Sequence, residues 1–320
     1  MKILSFGRHQ ESGAARGQYS AFEDTLEFQP APGCLVQPRE VAAEPVYRPV
    51  RAQAAAHTAT LTIDFEPDFP DIARPAVIKA AEIWGGLIAS PVEIIIGAFW
   101  SPGLEGALGV CLPNEVRDFQ GAPLRGTLYP LSLANRFAGG RVSSGSDMDV
   151  LFTSDDVGWY YGLDGKPRAT EFELLTVALH EIGHGLGHFG SLLALDIGHP
   201  PRVFDRFVAG HVGQRMLDYE PVSRAMTNEL VAGAFFAGPN ARSAALAASQ
   251  SLRLHPSGHR YGTPLCEKRP QNLMGTPYNP GSVARPDDAM LAMLRDLGWG
   301  AAATANAVFR RATMPIVSHD

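Results

Sequence analysis

Cysteine is scarce in this sequence: three occur in 320 residues, Cys34, Cys111 and Cys266. Three scattered cysteines cannot build the disulfide framework on which small secreted domains depend. We interpret them as free thiols, buried where they belong to the fold, with a Cys111–Cys266 disulfide as the alternative.

A surplus of positive charge and a long apolar run are also absent. The net charge is −6 and no block of basic residues occurs, which argues against nucleic acid or an anionic membrane as a partner. No apolar run approaches the roughly 18 residues that a bilayer-spanning helix needs, so we expect no membrane span. The amino-terminal residues MKILSFGRHQESG hold too few apolar side chains for a signal peptide.

The composition that remains is typical of a globular protein, with 45% hydrophobic and 19% charged residues. A chain of this length suits one large domain with extensions. Residues 1–57 are rich in Pro and Ala without a sustained periodicity, so they are predicted to be an extension or pro-segment. The folded domain is predicted over residues 58–300, followed by a tail at 301–320.

The hydrophobic patterns within that domain predict an α+β fold. Strands are expected at 58–65, 92–100 and 147–153 because these stretches alternate or are β-branched and aromatic. A helix is expected at 74–89, between the first two strands, which makes a crossover unit with a parallel strand pair. An amphipathic helix at 286–299 closes the domain.

The stretch from Thr170 to Gly190, TEFELLTVALHEIGHGLGHFG, is the centre of the sequence. Thr170 with Glu173 three residues later predicts a capping box at the start of a helix. Apolar residues then recur at helical spacing, so the helix is expected to bury one face.

Two histidines on this helix form a candidate metal site. His180 and His184 are four residues apart and therefore lie one turn above the other, where both imidazoles can reach a single ion. Glu181 lies beside that ion, where a carboxylate can deprotonate a metal-bound water. Gly185 and Gly187 then interrupt the helix, as a sharp turn towards a third ligand would require.

Four aspartates offer a second metal site. Asp147, Asp149, Asp155 and Asp156 have the oxygen ligands that calcium prefers, but their spacing does not fit an EF-hand loop. We interpret them as strand-end and turn carboxylates, with Ca²⁺ binding as the alternative.

The motif HEIGHGLG resembles that of the metzincin clan of zinc peptidases, HExxHxxGxx followed by a third ligand and later by a Met-turn. The matching residues are His180, Glu181, His184 and Gly187, with Met274 in NLMGTPY as the Met-turn. The combination of WGGLIASPVEIIIGAFW, HEIGHGLG, FDRF, NLM and AMLRDLGW is similar to a bacterial, generally exported group of metalloproteases, over about residues 58 to 300.

This resemblance implies a zincin fold and an extracellular, secreted protein. In that fold a twisted mixed sheet carries a backing helix and an active-site helix, and an irregular C-terminal lobe lies below the cleft. It also implies one catalytic Zn²⁺ and a protein or peptide substrate.

One position departs from the pattern, because Gly190 stands where many metzincins carry the third His or Asp. Catalytic zinc normally has three protein ligands and a water, so a replacement is predicted. We prefer His259, whose position is similar to that of a distal His in the bacterial group. His188, near the end of the motif helix, is the alternative, ahead of His255 and His199.

The expected activity is that of a zinc endopeptidase. Zinc would lower the pKa of its bound water towards about 7 and polarise the scissile carbonyl. Glu181 would act as general base and return the proton to the leaving amine. Met274 would form an apolar floor under the metal. Tyr278 and Tyr261 are interpreted as structural residues, with donation to the oxyanion as the alternative. Asp205 in FDRF is predicted either to support the ligands or to cap a short helix.

Two other functions and one regulatory role stay open at this point. A catalytically silent zincin-like module is favoured only by the missing ligand at Gly190, and intact Glu181 argues against it. A metal-dependent hydrolase of non-peptide amides is the other alternative. Cys34 could ligate the zinc and keep the enzyme latent, although an unpaired cysteine in the extension is the interpretation we favour.

Overall fold

The structure is a computed structural model of the 320-residue chain. It describes residues 35–36, 39–40, 59–104, 106–192, 200–221, 223–247, 252–256, 265–267, 272–275 and 279–299.

The strands and helices are numbered in chain order. The strands of the described residues are β1 (Leu35–Val36), β2 (Arg39–Glu40), β3 (Leu61–Phe65), β4 (Ile94–Ser101), β5 (Gly109–Val116), β6 (Tyr129–Pro130), β7 (Met148–Thr153), β8 (Trp159–Tyr160), β9 (Phe172–Glu173), β10 (Val208–Ala209), β11 (Phe235–Phe236), β12 (Leu254–Pro256) and β13 (Leu265–Glu267). The helices are α1 (Arg74–Leu87), α2 (Leu131–Ala138), α3 (Leu174–Gly185), α4 (Arg224–Gly233), α5 (Pro239–Ala247) and α6 (Asp288–Leu294), which continues as a π-helical segment, Arg295–Trp299.

A seven-stranded mixed sheet forms the larger part of the fold. Its main path has the strand order β1-β5-β7-β4-β3, and β2 and β6 also pair with β5. Strands β3, β4 and β7 are parallel, whereas β5 runs antiparallel to β7. The predicted crossover unit is therefore confirmed, with Ile63 of β3 opposite Ile96 of β4.

Helices α1 and α3 pack together on one face of this sheet. The alternate residues Ile94, Ile96 and Ala98 of β4 are fully buried there, because a strand turns every second side chain to the same face. The indole of Trp84 on α1 donates to the Leu179 carbonyl of α3 over 3.0 Å, which fixes the two helices against each other.

Two pieces of the predicted extension belong to the sheet. Leu35–Val36 pairs in parallel with Val110 and Cys111, and Arg39–Glu40 pairs in parallel with Asn114 and Glu115. Both pieces therefore pair with β5, a strand that α3 also contacts.

The C-terminal part consists of short elements. Helices α5 and α6 pack together, and β10 pairs with β11 and β12 with β13 in two small antiparallel pairs. The predicted closing helix is confirmed, and Gly298, with φ 121°, interrupts it as a left-handed residue. The α+β class and the twisted mixed sheet are thus both observed.

Among the helices within the described ranges, none combines the length and the apolar character needed to cross a bilayer.

Candidate metal centre

The motif helix begins three residues later than the capping box predicts. Glu173 is the N-cap residue of α3 and makes no side-chain cap hydrogen bond. Its buried carboxylate instead accepts two hydrogen bonds from the Arg285 guanidinium, at 2.6 and 2.9 Å, and one from the Thr176 hydroxyl. The prediction of a capping box is wrong, because a long-range ion pair takes the carboxylate that would have capped Thr170.

Helix α3 brings the two histidines of the motif together, as their spacing predicts. The side chains of His180 and His184 are both fully buried, and their Nε2 atoms lie 3.0 Å apart. Two nitrogen ligands at about 2.0–2.1 Å from one tetrahedral zinc would lie about 3.3 Å from each other. The observed separation is close to that value.

The hydrogen bonds of the two Nδ1 atoms determine whether the Nε2 atoms carry a proton. The Nδ1 atom of His180 donates to the Leu273 carbonyl over 2.6 Å, and that of His184 donates to the His188 carbonyl over 2.9 Å. A carbonyl oxygen only accepts, so both Nδ1 atoms hold a proton. In the neutral rings both Nε2 atoms therefore carry a lone pair.

Protonation of either ring is disfavoured. Burial lowers the pKa of His180 to about 4, and burial lowers the pKa of His184 well below its usual range. The two Nε2 atoms lie 3.0 Å apart, a separation at which one cation could contact both. Metal-bound histidines typically donate their other N–H to a carbonyl in this manner.

Glu181 occupies the space between α3 and β5. Its side chain is fully buried. A Cβ added to Gly109 of β5 would lie 2.8 Å from Glu181 Cγ and 2.9 Å from Oε1. Gly109 therefore leaves the room that this carboxylate occupies.

A sharp turn at Gly187 ends the helix, as predicted. The Gly187 N–H donates to the His184 carbonyl over 2.8 Å, and the His188 N–H donates to the Gly183 carbonyl over 3.1 Å. These two bonds form a Schellman motif, and Gly187 adopts the positive φ of 109° that the motif needs. The turn places the His188 carbonyl beside the His184 ring.

The His188 imidazole is buried next to this pair. It is fully buried, and its ring lies 5.4 Å from the Phe204 ring, centroid to centroid. Within the described residues neither of its ring nitrogens has a hydrogen-bond partner. Burial, and to a smaller extent the neighbouring His180, lower the pKa of His188 to about 3.

No ligand side chain could stand at position 190, because the Asp205 and Phe204 side chains occupy the space beside Gly190. A Cβ at position 190 would lie 2.5 Å from Asp205 Oδ1 and 3.1 Å from a ring carbon of Phe204. The departure from the metzincin pattern at Gly190 is thus accommodated by Asp205, which is itself buried.

The turn that contains Met274 packs under α3. Met274 is fully buried, and its sulfur lies 3.1 Å from where a Cβ of Gly183 would stand. The Met274 N–H donates to the Asn272 side chain over 2.9 Å, which fixes the turn. Leu273 in the same turn supplies the carbonyl that orients His180.

Other predicted site residues lie outside the described residues. They are His259, the preferred third ligand, together with His199, Tyr261, Tyr278 and Cys34. His255 lies in the short strand β12. Cys111 is a free and buried thiol, and burial raises its pKa well above the usual range.

Two of the four aspartates considered for calcium, Asp147 and Asp149, make hydrogen bonds at and beside the sheet. Asp147 accepts from the Ile95 N–H over 2.7 Å and from the Asn135 amide over 2.6 Å, and Asp149 accepts from the Ser146 hydroxyl over 2.7 Å. Across the described part of the chain, no three His, Cys, Asp or Glu side chains converge as a complete metal site. Within these residues the candidate centre consists of the two motif histidines.

Three contributors to the centre have no recognisable sequence signal. They are the Leu273 carbonyl, the space left by Gly109, and a buried ion pair in which Arg202 donates to both oxygens of Glu115 at 2.9–3.0 Å. The FDRF motif did single out Asp205, and the structure places it behind the turn that follows α3.

Comparisons of this chain with protein-family models, with curated proteins and with solved structures give no match.

Proposed function

We propose that this protein is a zinc-dependent endopeptidase of the metzincin type. The observation that carries the proposal is the pair of Nε2 atoms, 3.0 Å apart, in two rings that are both oriented by Nδ1–H donation to a carbonyl. A neutral and fully buried histidine pair of this geometry fits a borderline-soft divalent cation such as zinc. His180 and His184 would supply two ligands.

The sheet and its helices are consistent with a zincin fold. An active-site helix, α3, and a second helix, α1, pack on one face of a mixed sheet whose strand β5 is antiparallel to its neighbour β7. The turn at Met274 lies beneath α3, where the resemblance places a Met-turn. The zincin assignment rests on this agreement and on the motif.

The third ligand is proposed to be His259, with His188 as the alternative. His259 is the choice that the resemblance implies. His188 is supported by its burial and by two ring nitrogens without a hydrogen-bond partner among the described residues, a state that costs free energy unless something binds them.

The residues of this chain would divide the chemistry as follows. Zinc, when bound, supplies a Lewis acid and lowers the pKa of water towards about 7. The Glu181 carboxylate, held between α3 and β5, takes the proton of the attacking water and delivers it to the leaving amine nitrogen. Leu273 and His188 hold the two imidazoles in the tautomer that leaves Nε2 available.

Digestion of labelled casein by the full-length protein tests this function. The wild type, Glu181→Gln and a chelator-treated sample are compared, and zinc is measured in each. Activity in the untreated wild type alone, with zinc retained in Glu181→Gln, would support the proposal. Bound zinc with cleavage of a simple amide but not of any peptide would favour the amidase alternative.

Two further variants identify the third ligand. His259→Ala and His188→Ala should differ in zinc dissociation constant, because only replacement of the true ligand should weaken zinc binding by orders of magnitude. A wild type without bound zinc and without activity would refute the proposed function and leave a zincin-shaped module.

A further inference from the structure

We propose that Asp205 is a positioning residue of the metal centre, acting on the His184 imidazole through the main chain of the loop that follows α3. This inference rests on the proposed metal site. The chain of contacts runs from Asp205 to Ser191, along the loop to the His188 carbonyl, and from there to His184 Nδ1.

The first step is the hydrogen bonding of Asp205 to the loop that follows α3. Its Oδ1 accepts from the Ser191 N–H over 2.9 Å, and its Oδ2 accepts from the Ser191 hydroxyl over 3.0 Å and from the Arg202 N–H over 2.8 Å. Asp205 is 1% exposed, so water does not compete for these bonds. Two of these hydrogen bonds fix the loop at Ser191, and the third joins the same carboxylate to the Arg202 main chain.

The second step is the anchoring of Asp205 itself to the sheet. Asp205 accepts a hydrogen bond from the Arg202 N–H. The Arg202 side chain in turn donates from Nε and one terminal nitrogen to the Glu115 carboxylate of β5. The Arg202 guanidinium also lies 5.2 Å from the centre of the Phe189 ring. Ser191 and Phe189 of the loop therefore contact Asp205 and Arg202, and Arg202 is bonded to Glu115 of β5.

The third step is the effect on His184. Residues 188 to 190 follow the helix end directly and precede Ser191, so fixing Ser191 limits where the His188 carbonyl can lie. Phe204, next to Asp205, packs against the His188 ring, and Gly190 gives Asp205 its room. The carbonyl accepts His184 Nδ1–H and thereby sets the orientation and tautomer of a predicted ligand.

Asp296 offers a matched control. It is also a fully buried aspartate that accepts three hydrogen bonds, from the Asn240 N–H, the Asn240 amide and the Ala241 N–H, at 2.8–3.0 Å. It joins α5 to the segment after α6. Loss of either carboxylate should destabilise the fold, but only loss of Asp205 should disturb His184.

The experiment compares Asp205→Ala with Asp296→Ala by two readouts. In metal-free protein labelled with ¹⁵N-histidine, the protected His184 Nδ1–H resonance, assigned with His184→Gln, should vanish in Asp205→Ala and persist in Asp296→Ala. The zinc dissociation constant should rise about 10- to 100-fold in Asp205→Ala only. The Co²⁺ absorption spectrum should change in the same variant.

A folded Asp205→Ala with the wild-type resonance and zinc constant would overturn the inference. If this variant does not fold, Ser191→Ala removes one of the three bonds and should weaken zinc binding about 2- to 10-fold. No change there would also overturn it. A wild type that binds no zinc, while Asp205→Ala still loses the resonance, would refute the proposed function and leave the positioning role intact.

Discussion

Replacement of Gly109 by Ala should separate the proposed role of Glu181 as general base from the proposed role of His180 and His184 as zinc ligands. The new Cβ would lie 2.8 Å from Glu181 Cγ, 2.9 Å from Oε1 and 3.0 Å from Val177 Cγ1. Carbon atoms pack at about 3.5–4.0 Å, so the Glu181 side chain must move by roughly 0.7 Å. Gly109 is not among the glycines with a positive φ, so Ala introduces no backbone strain.

The magnitude follows from that displacement. Misplacing a catalytic group by about 1 Å costs on the order of 100-fold in rate, so kcat/KM should fall about 30- to 100-fold. The zinc dissociation constant should stay within about 3-fold, because the carbonyls that accept from His180 and His184 are untouched. Overpacking costs about 1–3 kcal/mol, and the Gly-to-Ala change in the unfolded chain offsets about 0.4–1 kcal/mol of it.

The assay measures cleavage of a fluorogenic peptide chosen from the wild-type casein digest, beside zinc affinity and urea denaturation. Gly86→Ala in α1 is the control, because its Cβ would meet nothing within 4 Å. It should leave activity unchanged and raise stability by up to about 1 kcal/mol. Wild-type kcat/KM in Gly109→Ala would refute the placement of Glu181 as base, and parallel loss of zinc and activity would refute the separation of roles.

Three further predictions concern stability. Burial raises the pKa of Asp147 to about 6 in the folded protein, whereas an aspartate in the unfolded chain has a pKa of about 3.9. The folded state therefore binds this proton more tightly. The stability that the protonated Asp147 contributes is complete below about pH 4 and is lost as the pH rises through 6. The unfolding free energy of the metal-free wild type minus that of Asp147→Asn should therefore fall by about 2 kcal/mol from pH 4 to 7, and a flat difference would contradict this. Arg202→Met should cost about 3–5 kcal/mol in urea denaturation because it strips Glu115 of its guanidinium, whereas Arg202→Met with Glu115→Leu should recover most of that loss. Trp84→Phe removes the donor to Leu179 and should cost about 1–2 kcal/mol without changing zinc affinity; a loss of zinc would show that the α1–α3 contact acts on the site.

Much of the sheet and the two main helices could be predicted from the sequence. The strand prediction at 147–153 and the helix prediction at 74–89 agree with β7 and α1 to within two residues. Patterns of this kind are local. One face of each helix or strand is buried, so apolar residues recur in the sequence at the period of that element.

The start of α3 shows where such patterns fail. The capping box at Thr170 is a local signal, but Glu173 pairs with Arg285, 112 residues away, and the helix starts later. The buried, charge-assisted pair of Glu173 and Arg285 is stronger than the predicted cap at Thr170. No local sequence pattern predicts this pair.

The sequence by itself determined that His180 and His184 would meet, since the helical period alone places residues i and i+4 on one face. Only the tertiary structure decided which carbonyls hold their rings, why Gly190 bears no ligand, and which strand leaves room for Glu181. Those features join atoms from Leu273, Asp205 and Gly109, which are distant in the chain. Their separations depend on how whole elements pack, and packing is a property of the assembled core.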